Sequence, residues 1–324
     1  MLKGTYRCGD HESCNEGQAE MRAVSYAQFG GPEVLRVTDL PVPQPGPGQV
    51  RVRVTASALH PVDVMIRAGR FPAPLPTGLP YVPGWDVVGT VDAVGPSVAD
   101  LAVNDEVIGF SPWLSTTVGA HAEFVVLDAG WLTAAPVGVP AVEAATLPTN
   151  GLAAAQALDL LALPAGSSVL VTGAAGQVGG FTLALARVAG LRATGVAAAG
   201  DREFVESQGA TFMPRSEDLL AAAPGHFDAV VDLAVIGPSV MELVRDGGGY
   251  VAASPPLRPE PVRGIRTVAL SVLPDGGRLG DLVKLVEGGD IPLRVAGVYS
   301  FADAVAAHQR RAESGVRGGI VIVP

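Results

Sequence analysis

Three glycines spaced three residues apart form the motif with the clearest chemical meaning. Gly173, Gly176 and Gly179 follow a short apolar run at residues 168–172, and a helical pattern continues over residues 181–189. In such a turn the first glycine lets the chain reverse, the second lets the backbone approach a pyrophosphate, and the third lets the helix lie close to the sheet. The phosphates then bind N–H groups at the positive end of the helix. The motif therefore predicts a dinucleotide-binding turn.

The surrounding sequence favours this interpretation over a plain strand-to-helix turn. The spacing is G-x-x-G-x-x-G rather than G-x-G-x-x-G, and the chain contains 41 glycines, so the motif alone is not specific. A second apolar run at residues 193–198 completes a βαβ unit, which is the context such a turn requires. We predict that these turn residues contact the cofactor: Gly173, Ala174, Gly176, Gln177, Val178 and Gly179.

The end of the second strand predicts which dinucleotide binds. NAD-dependent proteins place a carboxylate there for the ribose 2′-hydroxyl, whereas NADP-dependent ones supply a cation for the 2′-phosphate. The run at residues 193–198 ends without an acid, and Arg202 follows shortly after. Asp201 lies between them, at a natural position to cap a helix. We therefore predict NADPH, with Arg202 binding its 2′-phosphate.

Composition limits the classes of partner. The 324 residues are 48% hydrophobic, which is enough for a large core and two domains. A net charge of −10 disfavours binding to nucleic acid or to an anionic membrane surface. The uncharged run at residues 160–186 is broken by Pro164 and five glycines, so it predicts no membrane span. No signal-peptide pattern opens the sequence, and we expect a cytoplasmic protein.

Cysteine usage is confined to the start of the chain. Cys8 and Cys14 both lie in a polar segment without hydrophobic periodicity, which we predict to be a disordered extension over residues 1–20. With His11 they can also be interpreted as a small metal cluster. The remaining chain has no cysteine, so a disulfide, a thiol nucleophile or a cysteine-ligated metal is excluded there.

The elements divide the chain into two kinds of structure. Short strands with frequent Gly and Pro turns indicate a barrel-like β domain; they lie at residues 35–38, 50–55, 87–94, 106–110 and 122–126. Alternating helices and strands then indicate a doubly wound parallel sheet. The helices lie at 142–161, 181–189, 201–208 and 238–245, and the strands at 168–172, 193–198, 227–233, 249–253 and 264–272. The last fifty residues, with helices at 280–287 and 301–314 and a strand at 319–323, fit this pattern poorly and are expected to return to the first domain.

Several segments together resemble the medium-chain dehydrogenase/reductase superfamily, and within it the zinc-independent quinone oxidoreductases. They are residues 21–24, 29–35, 59–69, 79–89, 171–179 and 316–322. The resemblance implies an α/β protein in which a GroES-like catalytic domain, residues 21–141 and 276–324, is interrupted by a Rossmann domain at residues 142–275. It also implies an active site in the cleft between the domains, NADPH as hydride donor, and a homodimer. We further predict that Asn150 contacts the cofactor.

The resemblance also bears on zinc. Related alcohol dehydrogenases bind a catalytic zinc through a Cys, a Gly-His-Glu motif and a second Cys. The matching positions here are His60 and Gly84-Trp85-Asp86, with no cysteine near residues 147–150. A catalytic zinc needs three protein ligands and an open fourth position, and two candidates are too few. We predict that the protein binds no metal.

Two polar residues remain as candidates for catalysis. Asp63 follows His60 by three residues, so a hydrogen-bonded pair can donate a proton or orient a carbonyl oxygen. His60 can equally be a satisfied core histidine without a role. The predicted substrate pocket consists of Met65, Phe71, Trp85, Phe110 and Trp113, although aromatic residues are often simple core. The expected reaction is hydride transfer from NADPH to a quinone or an enone; the alternative is an idle NADPH-binding protein with a structural or sensing role.

Overall fold

The computed structural model describes residues 19–75, 80–215 and 226–324. The strands in these ranges are β1 (Glu20–Ser25), β2 (Arg36–Pro41), β3 (Gln49–Leu59), β4 (Asp86–Val94), β5 (Glu106–Phe110), β6 (Phe124–Asp128), β7 (Leu132–Ala134), β8 (Ser168–Thr172), β9 (Arg192–Ala197), β10 (Thr211–Pro214), β11 (Phe227–Asp232), β12 (Val244–Ala252), β13 (Arg266–Ala269), β14 (Val295–Ser300) and β15 (Gly319–Val323). The α-helices are α1 (Pro61–Arg67), α2 (Trp113–Thr116), α3 (Ala141–Ala144), α4 (Pro148–Leu161), α5 (Gln177–Val188), α6 (Arg202–Ser207), α7 (Pro238–Met241), α8 (Gly276–Glu287) and α9 (Ala304–Ala312).

A parallel sheet occupies the second half of the described chain. Its strand order is β10-β9-β8-β11-β12-β13, and every neighbouring pair is parallel. The central strand β8 is buried on both faces, with Val169, Leu170 and Val171 fully inaccessible, as continuous apolar runs in parallel sheets require. The chain order reverses between β8 and β11. Ligands of doubly wound sheets bind outside the carboxyl ends of the strands at such a switch point.

A mixed, mostly antiparallel sheet forms the other part of the molecule, with a parallel pair, β14 and β15, at one edge. Its order is β14-β15-β3-β4-β5-β7, with β6 also paired to β3, while β1 and β2 form a separate ribbon. The long strand β3 alternates buried valines with more exposed arginines, as expected for one face against a core. Strand β15 pairs antiparallel with β3, so that Ile320 lies opposite Leu59. The C-terminal segment thus returns to the first part of the chain, as predicted, and the predicted α/β fold with a doubly wound parallel sheet is confirmed.

Several predicted elements have different bounds in the structure. The predicted helix at residues 142–161 is two helices, α3 and α4, because Pro148 lacks an N–H and begins a new first turn. The predicted helix at residues 238–245 ends at Met241, and β12 begins at Val244 because this segment pairs with β11. The helical pattern at 301–314 becomes a 3₁₀ turn, Phe301–Asp303, followed by α9. Strand pairing after Met241 and the missing N–H of Pro148 therefore outweigh the helical pattern of the local sequence.

The start of the chain differs slightly from its prediction. Residues 1–18, including Cys8, His11 and Cys14, lie outside the described residues. Glu20, which we placed in the extension, instead belongs to β1 and pairs with Pro41. Among the helices of the described ranges, none has the length and apolar character needed to span a bilayer.

Candidate active site

The glycine turn has the geometry that a pyrophosphate requires. Gly173 has a φ of +63° and lets the chain leave β8, and Gly176 caps α5. A Cβ on Gly179 would lie 2.3 Å from the carbonyl oxygen of Gly173, so only glycine fits there. The first-turn N–H groups of a helix have no intrahelical partner, and here they follow the end of β8 at the switch point. The turn residues therefore fit a dinucleotide phosphate.

A buried aspartate links the two loops at the switch point. Asp232 ends β11 and is 2% exposed; its carboxylate accepts hydrogen bonds from the Thr172 hydroxyl at 2.6 Å and the Tyr250 hydroxyl at 2.6 Å. The backbone N–H groups of Ile236 and Gly237 donate to the same carboxylate. These bonds fix the loop after β11 beside the glycine turn. Sequence analysis missed Asp232, although its place at the end of an apolar strand was a usable signal.

The other predicted cofactor residues have defined partners. The N–H of Ala174 donates to the carbonyl of Val196, which fixes the turn against β9. Asn150, in the first turn of α4, is 6% exposed and donates to the carbonyl of Thr146 at 2.9 Å. Arg202 is exposed, bonds Glu206 at 3.0 Å and lies 4.3 Å from the ring centroid of Phe212.

A second arginine, absent from the sequence prediction, lies directly against the glycine turn. Arg294 Nη2 donates to the carbonyl oxygens of Ala175 and Gly176 at 3.1 and 3.0 Å. Its guanidinium lies 3.7 Å from the ring centroid of Phe204, and Gln177 Nε2 donates to its carbonyl. Burial and the nearby charge of Arg317 lower the pKa of Arg294 to about 10. Arg294 lies far from the turn in the sequence, so no local sequence pattern indicates this contact.

The predicted candidate His60 contacts Asp86. His60 Nε2 forms a hydrogen bond to Asp86 Oδ2, and Asp86 Oδ1 accepts the N–H of Thr149 at 2.6 Å. Asp86 is fully buried, and the His60 side chain is 8% exposed. Burial opposes protonation of His60, but the charge and hydrogen bond of Asp86 outweigh it and raise the pKa of His60. Asp86 therefore joins the loop before α1 to the N-terminus of α4.

Asp63 contacts His60 through the backbone rather than through the imidazole. Its Oδ2 accepts the N–H of His60 at 2.8 Å, and its Oδ1 accepts the N–H of Gly84 at 3.2 Å and Trp85 Nε1 at 3.1 Å. Burial raises the pKa of Asp63 to about 6. His60 and Asp63 are thus hydrogen-bonded as predicted, but through the His60 backbone; the imidazole contacts Asp86 instead, because Asp63 caps α1.

The five predicted pocket residues do not share one environment. Trp85 stacks on Phe110 with 6.0 Å between ring centroids, and Trp113 lies 6.1 Å from Trp85. Phe110 and Trp113 are each 1% exposed and belong to the hydrophobic core. Phe71 is partly buried against that core, while Met65 is 40% exposed.

The donor set does not fit a catalytic zinc. Across residues 19–75, 80–215 and 226–324, no three His, Cys, Asp or Glu side chains come together as a metal site. His60 and Asp86 bind each other, and the second oxygen of Asp86 binds the N-terminus of α4.

A doubly wound sheet with a glycine turn at its switch point is the arrangement by which dinucleotide-dependent dehydrogenases and reductases bind their cofactor. Residues 46–137 match the alcohol dehydrogenase GroES-like domain, and residues 200–322 match a zinc-binding dehydrogenase family.

The chain is similar to several characterised proteins. It is 30% identical to a 2-methylene-furan-3-one reductase of Solanum lycopersicum, over 94% of this chain and 80% of the relative. An NADPH-dependent alkenal/one oxidoreductase of Arabidopsis thaliana is 30% identical, with the same coverage of both chains. The structure of a quinone oxidoreductase from Coxiella burnetii superimposes with a TM-score of 0.84 at 27% identity, over 94% of this chain and all of the other. The chain therefore belongs to the medium-chain dehydrogenase/reductase superfamily, in its quinone oxidoreductase branch.

Proposed function

We propose that this protein transfers a hydride from NADPH to a quinone or an α,β-unsaturated carbonyl compound. The observation that carries the proposal is the glycine turn at the switch point of the parallel sheet, in a chain of this family. The names of two relatives specify enone-type chemistry, and one of them specifies NADPH. Bound NADPH supplies the hydride, and the protein's residues bind and orient it.

The polar residues near the proposed cleft favour acceptors that need little help from a protein acid. Asp63 uses both oxygens for three N–H donors, and the imidazole of His60 is held by Asp86. In a conjugated acceptor the charge that develops on hydride arrival spreads through the π system onto oxygen, where water or a weak donor can stabilise it. We therefore assign His60 and Asp63 a positioning role rather than that of a strong acid. The His60→Ala variant is expected to retain part of the activity.

Turnover across an acceptor series tests the assignment. NADPH consumption is followed by stopped-flow absorbance with quinones, conjugated enones and simple saturated ketones. We expect oxidation of NADPH with the first two classes and little with the third. Robust turnover of a simple ketone alongside inactivity toward quinones and enones contradicts the proposal. Tight NADPH binding without turnover of any acceptor indicates the idle, structural or sensing alternative.

We also propose that the reaction proceeds without zinc. The support is that the two side chains at the metal-ligand positions of related enzymes, His60 and Asp86, are bound to each other in a buried pair. Elemental analysis after extensive dialysis is expected to find no stoichiometric metal, and chelators are expected to leave turnover unchanged. About one zinc per chain surviving dialysis would contradict this prediction.

The remaining proposals concern organisation. We propose a Rossmann domain at residues 142–275 within a catalytic domain at 21–141 and 276–324, supported by the separate sheets. A homodimer is supported by the family resemblance and is tested by analytical ultracentrifugation. A cytoplasmic location is supported by the lack of cysteine after Cys14, since oxidising compartments favour disulfides, and is tested by cell fractionation.

A further inference from the structure

A bidentate ion pair connects the region after β9 with the C-terminal segment. Arg317 Nε lies 2.7 Å from Asp201 Oδ1, and Arg317 Nη2 lies 2.6 Å from Asp201 Oδ2. The Asp201 side chain is 13% exposed, so this carboxylate is largely removed from water. Its pKa is lowered, chiefly by the hydrogen bonds from Arg317. Two parallel N–H to oxygen bonds are the strongest arrangement available to an arginine and a carboxylate.

Asp201 occupies the part of a Rossmann fold that chooses between the two dinucleotides. It ends the 3₁₀ turn Ala199–Asp201, which follows the end of β9 at Ala197. A carboxylate in the segment after this strand is placed to accept hydrogen bonds from the adenosine ribose of NADH. In this structure both of its oxygens are already used by Arg317. The acid that would favour NADH is therefore neutralised by a residue from the other part of the molecule.

The backbone around Arg317 holds it at this place. Gly318 has a φ of +126°, and a Cβ there would lie 2.9 Å from the N of Ala296. Val316 is 7% exposed and packs in the core, and the N–H of Gly319 donates to the carbonyl of Arg294. Arg317 thus extends from a turn fixed against β14, and Arg294 from the same strand region lies on the glycine turn.

Arg202, the cation expected from the sequence, is engaged elsewhere. Its guanidinium bonds Glu206 one turn further along α6 and lies over the ring of Phe212. The cation that contacts Asp201 is Arg317, and its side chain is 41% exposed, so part of the guanidinium remains open to a ligand.

We propose that Arg317 determines the preference for NADPH, by withdrawing Asp201 from the ribose of NADH and presenting positive charge to the 2′-phosphate of NADPH. This inference rests on the proposed function. The residue that distinguishes NADPH from NADH is then Arg317 of the C-terminal segment rather than Arg202. Residues from both parts of the molecule therefore contribute to cofactor selectivity.

Binding of two cofactor fragments tests the proposal without any turnover. The probes are 2′,5′-ADP, which carries the 2′-phosphate, and 5′-AMP, which does not, titrated by calorimetry against the full chain. Arg317→Ala is expected to weaken 2′,5′-ADP binding about tenfold or more, as for a lost charge-assisted contact, and to leave 5′-AMP binding equal or stronger. Asp201→Asn is expected to keep or improve 2′,5′-ADP binding.

The double variant isolates the role of the pair. In Arg317→Ala/Asp201→Asn the repulsion between Asp201 and the 2′-phosphate is gone, so we expect 2′,5′-ADP binding to recover partly relative to Arg317→Ala. Any gain in 5′-AMP binding should disappear. Arg310→Ala is the matched control, because it also removes an arginine ion-paired with a carboxylate, here that of Glu313 at the C-terminal end of α9. Circular dichroism and thermal unfolding establish that each variant is folded.

Two results overturn the inference while leaving the proposed function intact. One is an equal loss of both probes in Arg317→Ala; the other is a selective loss of 2′,5′-ADP in Arg202→Ala with none in Arg317→Ala. If the wild-type chain binds neither probe nor NADPH, the proposed function itself fails together with the inference.

Discussion

Asp86 is a buried carboxylate with hydrogen-bond partners on two different elements. Its carboxylate is inaccessible to solvent, and it binds the imidazole of His60 on one side and the N–H of Thr149 on the other. A helix N-terminus favours a negative charge, and a raised pKa keeps His60 available as its cationic partner. Removing the carboxylate leaves both partners unsatisfied in the interior.

Replacement of Asp86 measures this contribution. We expect Asp86→Ala to lower the free energy of unfolding by about 3–5 kcal/mol, the usual cost of breaking a buried pair. Asp86→Asn keeps an oxygen for the N–H of Thr149 and should cost clearly less. Asp159→Ala, which removes an exposed carboxylate from α4, is the control and should cost less than about 1 kcal/mol. Urea unfolding gives all three values, and equal losses in Asp86→Ala and Asp159→Ala would disprove the role.

Gly176 offers a test of the phosphate site that spares the fold. It has a φ of −70° and a ψ of 175°, which any residue adopts, and aspartate is a favoured helix cap. A Cβ at Gly176 would lie 3.2 Å from the carbonyl oxygen of Gly173, so the turn shifts slightly in any variant. We expect Gly176→Asp to fold but to weaken NADPH binding by about 2 kcal/mol or more, because its charge repels the pyrophosphate. Gly176→Ser places a neutral cap at the same position and should lose less. Identical losses in the two variants would mean that charge plays no part there.

At this scale the sequence predicted the residues of the turn because they are neighbours in the chain. Gly173 to Gly179 form one local motif, and the structure keeps them together. The partner of His60 was predicted as Asp63, three residues away, whereas the imidazole binds Asp86 from a different strand. Arg294 contacts the glycine turn and Arg317 contacts Asp201 after β9, both from the C-terminal segment. Contacts between distant segments follow from tertiary packing, which local spacing does not encode.

Helix α9 buries a histidine without a hydrogen-bond partner. His308 is 1% exposed, and neither ring nitrogen has a partner within the described residues. Burial, followed by the charges of His121 and Arg67, lowers the pKa of His308 to about 3. Burial likewise lowers the pKa of His121 to about 3. Both side chains are therefore neutral in the folded protein across the physiological range.

These histidines make the fold sensitive to acid. An unfolded histidine has a pKa of about 6.5, so between that value and about 3 the unfolded chain binds more protons and stability falls as the pH falls. Each histidine contributes up to about 1.4 kcal/mol per pH unit. Burial raises the pKa of Asp63 to about 6, so that carboxyl acts in the opposite direction, with its stabilising contribution lost as the pH rises through about 6.

Replacement of His308 measures its contribution to the loss of stability in acid. We expect His308→Leu, which is close in volume, to reduce the loss of stability between pH 6.5 and pH 5 by about 1–2 kcal/mol relative to wild type. Urea unfolding at several pH values gives the two slopes. His226→Gln, at an exposed position, is the control and should follow the wild-type slope. An unchanged slope in His308→Leu would show that this residue takes up no proton on unfolding.

Elements with a clear hydrophobic periodicity were predictable from the sequence, whereas strands that depend on their pairing partners were not. The strands at 168–172 and 319–323 agree with β8 and β15. The short segment after Met241 has a helical pattern but leads into a strand, because Val244 of β12 pairs with Phe227 of β11. Strands β10 and β14 lie in stretches that carry no clear alternation, and their pairing partners β9 and β15 define them.

On the scale of the whole molecule, the two sheets are joined by a shared hydrophobic core, in which Leu59 and Ile320 cluster with Leu152 of α4, and by several polar contacts. The N-terminus of α4 binds Asp86 of β4, and Arg317 binds Asp201 after β9. Arg294 adds its bonds to the glycine turn. The change in pattern near residue 142 predicted a parallel α/β part after a β part, and the poor fit of the last fifty residues predicted their return to the first sheet. The contacts that fix the two sheets were not, because each joins segments far apart in the chain.

The pairing of β15 with β3 also determines when the protein can finish folding. Ile320 pairs with Leu59, so the mixed sheet and the bond of Arg317 to Asp201 form only after the segment that contains β15 has been synthesised. The parallel sheet needs only residues between 168 and 269, so it can form first. We expect a chain truncated after residue 314 to keep a protease-resistant fragment from the parallel sheet while its first 141 residues are digested. Uniform protection of both parts from the protease would show that the mixed sheet forms without β15.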